Sequence, residues 1–340
     1  MYETLGLEQW TPREASIVFG FIVGCLFGVL AQLTQFCLRR AVAGATDERA
    51  SARGVWLLAL AFAILGTQGL IQFTPLSFAE HRLMAQDIPI VAIVVGGLIF
   101  GVGMVLTRGC ASRLTVLAAG GNLRAVLVLL VFALTAHATL KGVLAPWRVW
   151  LGEYSINLDT MFFINQLPGG PWVITVLAVL CLAIMAFRSA TPPSLLVGAA
   201  LLGLLVPAAW FGTGWLLVDD FDPIPLEGLS FTLPHTQLAF WLMASSAIPA
   251  GFGVALVGGV FTGSLISHLL RGQFRWQSFE TPGQTGRYLS GGMLMAIGGV
   301  LAGGCSVGAG LSGVATLSMG ALVALLSMIT GATLSAKLIR

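Results

Sequence analysis

The sequence predicts an all-α integral membrane protein of about nine transmembrane helices with short re-entrant helices between them. Three observations lead there. Of 340 residues, 57% are hydrophobic and only 9% are charged, where a soluble domain carries about 25% charged residues. Mean hydropathy is +0.92. Apolar stretches follow one another with short polar breaks, and most approach the roughly 20 residues that an α-helix needs to cross the hydrocarbon core. The basic residues, finally, fall on one side of the resulting topology.

The apolar spans lie at about 15–36, 55–73, 88–107, 124–144, 171–187, 194–218, 237–270, 287–301 and 313–335. The seventh is too long for one straight helix and holds Pro249 and Gly251. Proline removes a backbone donor and glycine loosens the chain, so a broken or re-entrant pair is expected there. Met1–Trp10 has two acids and no basic residue, unlike a signal peptide, so the first span is expected to be retained. The chain reads as a single polytopic domain over 1–340, with repeat-containing halves of approximately 1–187 and 188–340.

Nine crossings with the N-terminus outside place Arg39, Arg40, Arg49, Arg53, Arg108, Arg113, Arg124, Arg188, Arg271, Arg275, Arg287, Lys337 and Arg340 in the cytoplasm. That is 13 of the 17 basic residues. Only Arg13, Arg82, Lys141 and Arg148 fall outside, where Asp219, Asp220, Asp222 and Glu227 share a loop without any Lys or Arg. Cytoplasmic loops are enriched in Lys and Arg, so the expected orientation is N-terminus periplasmic and C-terminus cytoplasmic.

The chain repeats itself. GCLFGVLAQLTQFC at 24–37 and GLIFGVGMVLTRGC at 97–110 are identical at Gly24/Gly97, Phe27/Phe100, Gly28/Gly101, Val29/Val102, Leu33/Leu106, Thr34/Thr107 and Cys37/Cys110. A third copy at 292–305 ends in Cys305, and 259–272 reads as a degenerate fourth ending in Gly272. Small residues alone make membrane helices resemble one another. Constant spacing up to a shared cysteine favours duplication instead, and in secondary transporters the site lies on interrupted helices where repeats meet.

The segments RGCASRLTVLAAGGN at 108–122 and AGGCSVGAGLSG at 302–313 read as helix breaks at membrane depth. Irregular backbone there must be buried in protein or line a polar cavity, and a following helix start favours anions. Gly109, Gly303 and Gly304 would let a ligand approach the chain closely. Cys37, Cys110 and Cys305 would present a weak donor and a polarizable sulfur to a passing solute. Cys25 and Cys181, mid-span with no breaker beside them, read as packing residues. Arg40, Arg108 and Arg113 flank the cysteines as anion-attracting candidates, although anchoring at the membrane surface explains them as well. His137 near Lys141 is a functional candidate or a satisfied helix-end pair. No cysteine or histidine spacing suggests a metal, no Walker A sequence suggests an ATP motor, and no catalytic triad or carboxylate pair suggests an enzyme. No cofactor and no nucleic-acid partner are expected.

At QFCLRR (35–40), GGLIFGVGMVLTRGC (96–110), GSLISHLLRGQFRW (263–276) and GGMLMAIGGVLAGGCSVGAGL (291–311) the sequence resembles the YeeE/YedE family of sulfur-compound transporters. The resemblance implies an hourglass-like pore in a bacterial inner membrane. It also implies thiosulfate or a related sulfane-sulfur anion as cargo, passed between thiols at the positions of Cys37, Cys110 and Cys305. A TusA-like sulfur carrier is the implied partner, and no such domain lies within the 340 residues. RGCASR departs from the family's usual GGCATG and resembles a branch associated with sulfur-oxidation gene clusters. Two other classes stay open on the residues alone: a membrane sensor or partner that binds such an anion and relays it, and an enzyme that breaks S–S bonds through a cysteine persulfide.

Overall fold

The computed structural model describes residues 10–78, 81, 87–157, 170–219 and 222–338. The expectation that Met1–Trp10 is not a signal peptide, and those for Arg82, Asp220 and Arg340, therefore lie wholly or mostly outside the described residues. The helices are α1 (Pro12–Thr34), α2 (Leu38–Ala43), α3 (Thr46–Phe73), α4 (Ile90–Leu106), α5 (Ala111–Ala119), α6 (Leu123–Lys141), α7 (Ala145–Gly152), α8 (Gly170–Phe187), α9 (Pro193–Phe211), α10 (Thr232–Ala244), α11 (Phe252–Leu270), α12 (Pro282–Leu301) and α13 (Met319–Leu338). Two π-helical turns, Gly212–Leu216 and Gly308–Gly313, complete the helical elements among the described residues. Strand is confined there to Asp87–Ile88 pairing antiparallel with Ile156–Asn157.

Among the described residues, seven segments are long and apolar enough to cross a bilayer. The apolar part of α8, Trp172–Phe187, is shorter, and α12 has 20 residues but carries Arg287 and several polar groups in its first turns. The expected count of nine is reached only if both of these also cross. The break expected in the seventh apolar stretch is present: α10 ends at Ala244 and α11 begins at Phe252, with Pro249 between them. One boundary is displaced, because α3 starts at Thr46 and not near residue 55. Charged residues had set the expected boundary there, yet they fold back as part of the helix. Arg40 pairs with Glu48 at 3.1 Å, Arg49 donates to the Gly44 carbonyl at 2.8 Å and Arg53 to the Ala41 carbonyl at 3.0 Å.

Burial of apolar side chains drives little helix association inside lipid, so close backbone packing and hydrogen bonds must hold the bundle together. Glycine seams supply the packing. Gly24 and Gly28 of α1 lie against the carbonyls of Leu256 and Val260 of α11, and Gly259 and Gly263 of α11 lie against those of Phe21 and Cys25. The paired positions of the second copy behave alike, for Gly97 and Gly101 of α4 rest on the Ala324 and Met328 carbonyls of α13. A Cβ at these glycines would collide with backbone, or at Gly97 with the Cβ of Ser327. Phe27 and Phe100, matched in the repeat, are each fully buried. Thr34 and Thr107, also matched, donate to the carbonyls four residues back at 2.7 and 2.9 Å. The first two sequence copies are thus structural copies.

Candidate functional site

Each repeated helix ends in the same turn. Gln35 (φ 52°), Arg108 (φ 58°) and Gly303 (φ 74°) adopt left-handed backbone, and each lies two residues before a cysteine. In the first two the closing bond is also shared: the N–H after the left-handed residue reaches back five positions, Phe36 to Ala31 at 3.1 Å and Gly109 to Met104 at 3.1 Å. This is the Schellman closure of a helix C-terminus, usually made by glycine. Gln35 and Arg108 make it at a cost of about 1 kcal/mol each, a local strain that neighbouring structure must hold in place. The chain then restarts almost at once, with Cys37 in the N-cap position of α2 and Cys110 in that of α5. Cys305 precedes the π-helical turn and accepts the Gly308 N–H on Sγ at 3.4 Å.

The fourth copy shows the same closure, with the Gln273 N–H reaching the His268 carbonyl at 2.9 Å and Gly272 at φ 63°. Gly272 therefore matches Gln35 and Arg108, not Cys37 and Cys110 as the sequence register placed it. Phe274 stands two residues on, where the other copies have a thiol.

The three breaks converge. Cys37, Cys110 and Cys305 are 3%, 1% and 0% exposed. The Cys37 and Cys110 thiols lie close enough to interact with each other. The Cys110 sulfur meets the hydroxyl of Ser112 at 3.3 Å, and Ser306 lies near it. Cys305 lies within electrostatic reach of Cys110. Hydroxyls and thiols are therefore among the polar groups where the three breaks meet. Arg113, half-buried on α5, acts electrostatically on both Cys37 and Cys110, and its Nη1 is buried without a hydrogen-bond partner.

Sequence reasoning named these thiols and Arg113, and the fold brings them together. Arg108 is placed apart: it lies exposed on the left-handed turn. Arg40 is engaged by Glu48 and by the Gln35 carbonyl, the latter at 3.3 Å. Gly109 and Gly304 are buried beside their cysteines, whereas nothing lies within 4 Å of where a Gly303 Cβ would stand. Ser112 and Ser306 were missed, although both sit one or two residues past a repeated cysteine. Cys25 is half-buried at the α1–α11 seam and Cys181 is exposed on α8, beside Met185. His137 stacks on Phe240 with ring centroids 3.8 Å apart, away from the thiols.

A family model described as sulphur transport matches residues 33–334, spanning all three breaks. The chain belongs to the sulphur transport family. It is thereby a membrane transporter and not an enzyme. Two relatives are similar over nearly their whole lengths. The thiosulfate transporter TsuA of Spirochaeta thermophila is 26% identical over 334 residues, covering 92% of this chain and 96% of its own. The thiosulfate transporter TsuA of Escherichia coli is 28% identical over 343 residues, covering 93% and 92%.

Proposed function

We propose that the protein is a permease that carries thiosulfate or a related sulfane-sulfur anion across a bacterial inner membrane, with Cys37, Cys110 and Cys305 as successive contacts. The observation that carries this reading is the meeting of three thiols from three separate helix breaks, with hydroxyls from Ser112 and Ser306 at the middle one. An unpaired ion at membrane depth is costly, so a crossing anion needs donors in place of its water. Thiols and hydroxyls supply donors without fixed charge, and sulfur suits the large, polarizable sulfane atom. Such contacts release their ligand as readily as they take it.

Uptake of 35S-thiosulfate into proteoliposomes tests the proposal. Saturable uptake, inhibited by unlabelled thiosulfate, is expected; binding without uptake would replace the permease with the sensor reading, and a persulfide found on a cysteine after turnover would point to S–S cleavage.

The proposed orientation keeps the N-terminus periplasmic and the C-terminus cytoplasmic, which sets Arg113 and Arg40 at the inner end of the path. A TusA-like carrier would then receive the anion at that end. A tag at the C-terminus should be reached by protease only after the inner membrane is permeabilised, and protection of both termini alike would break this topology.

A further inference from the structure

The stretch Leu229–His235, which leads into the first turn of α10, touches all three breaks. The Phe231 ring lies 5.2 Å from that of Phe27, which lies 6.3 Å from that of Phe36, the residue before Cys37. Rings at such distances attract one another. The Leu229 carbonyl accepts the Ser312 hydroxyl at 2.7 Å, from the turn after Cys305. Ser230 lies against Gly308, where an added Cβ would meet its hydroxyl at 2.6 Å, and the Gly308 N–H is the one that the Cys305 sulfur accepts. The second break is reached by His235, whose Nε2 stands 3.0 Å from Thr115 Oγ1 on α5.

Both nitrogens of the His235 ring are used. Nδ1 lies 2.6 Å from the Phe231 carbonyl. A carbonyl only accepts, so Nδ1 carries the proton, and in the neutral ring Nε2 is left as an acceptor. The Thr115 hydroxyl is the donor that meets it; turned the other way, that hydroxyl reaches the Ala111 carbonyl, also at 3.0 Å. His235 and Thr115 are 5% and 2% exposed, so little water competes for the bond. Phe132 of α6 stands edge-on to the imidazole at 6.1 Å. Pro234 packs against Gly253 of α11, which fastens the stretch to the helix that carries the α1 seam. With nine residues, α5 is too short to be stable by itself, so its position is set by what it touches.

We propose that His235 is a positioning residue: through Thr115 it latches α5 and so fixes where Cys110 stands relative to the thiols of the other two breaks. The inference rests on the permease reading only in taking Cys110 as a contact of the anion. Cys110 caps the helix on which Thr115 sits, so a shift of α5 carries the sulfur with it. A displacement of about 1 Å is enough to spoil a contact that depends on geometry. The same stretch braces the first break through Phe231 and the third through Leu229 and Ser230. His235 supplies its polar link to the second.

Thiol reactivity tests the latch without requiring transport. In the detergent-purified full chain, alkylation by N-ethylmaleimide, followed by mass spectrometry at each cysteine, should run about fivefold faster at Cys110 in His235→Phe, as for the loss of one buried hydrogen bond. Phenylalanine keeps the flat ring, and the Thr115 hydroxyl retains the Ala111 carbonyl, so no buried donor is orphaned and the bundle should assemble. Thr115→Val should give the same acceleration. The double variant should exceed neither single one, because both remove the same bond. His235→Gln, whose side-chain amide oxygen can accept from Thr115, should restore most of the protection. Cys25, at the α1–α11 seam, should react at the parental rate throughout. In proteoliposomes at matched abundance, His235→Phe should lower thiosulfate uptake at subsaturating concentration by a similar factor. A Cys110 rate within two-fold of the parent would overturn the latch, and so would an equal rise at Cys25, which marks general loosening, or additive effects of the two substitutions. If the parent takes up no thiosulfate while Cys110 still becomes more reactive, the permease reading fails and the latch stands.

Discussion

Single replacement of Cys37, Cys110 or Cys305 by serine is expected to reduce thiosulfate uptake by at least tenfold, while Cys25→Ser and Cys181→Ser leave it within about two-fold of the parent. Serine keeps a donor and nearly the same shape, so the bundle should assemble in all five variants. What changes is the atom offered to the anion, because oxygen is smaller and less polarizable than sulfur. At Cys110 the loss extends further, since that sulfur meets the Ser112 hydroxyl at 3.3 Å and lies near Cys37 and Ser306. Cys25 sits half-buried at a glycine seam and Cys181 is exposed on α8, so neither faces the meeting point. Uptake by the five variants at equal membrane abundance decides the matter; equal transport by all five would remove the cysteine path.

Arg113 and Arg108 should separate as cleanly. Arg113 acts on two of the three thiols from a half-buried position, with Nη1 unpartnered, whereas Arg108 is exposed on its turn. Arg113→Gln is therefore expected to lower uptake about tenfold at subsaturating thiosulfate and less at saturation, because attraction chiefly raises local concentration. Arg108→Gln should stay within about two-fold at both, since its left-handed backbone accepts either side chain at similar strain. Initial rates at two substrate concentrations give the comparison. Equal sensitivity of the two arginines would return Arg113 to surface anchoring.

The membrane class and most helices were legible because a bilayer imposes a length and an apolarity that composition cannot disguise. The meeting of three thiols was legible through the repeat, which marked three of five cysteines by position. Side-chain spacing could not show which arginine turns inward. Arg108 and Arg113 flank Cys110 almost evenly in sequence, yet a left-handed turn sends one outward while α5 carries the other beside the thiols. The register of the fourth copy was misplaced for a related reason. Its glycine was aligned to a cysteine, when glycine there serves the turn that Gln35 and Arg108 make without one. The start of α3 escaped notice because charged residues read as loop, although Asp47 and Glu48 favour a helix N-terminus and Arg49 and Arg53 find carbonyl acceptors nearby.

The glycine seams restrict how such a molecule can work. With Gly24 and Gly28 seated on the carbonyls of α11, and Gly259 and Gly263 seated on those of α1, a slide by one residue would drive side chains into backbone on both partners. The same geometry locks α4 to α13 through Gly97 and Gly101. Neither pair has slack for a piston stroke or for wholesale rocking of one half against the other. Motion is left to the parts outside the seams: the short helices α2 and α5 and the turn after Cys305, each hung from a strained or glycine hinge. The seams make a fixed collar, and the permease reading then requires passage to depend on small displacements of the three hinged segments that meet inside it.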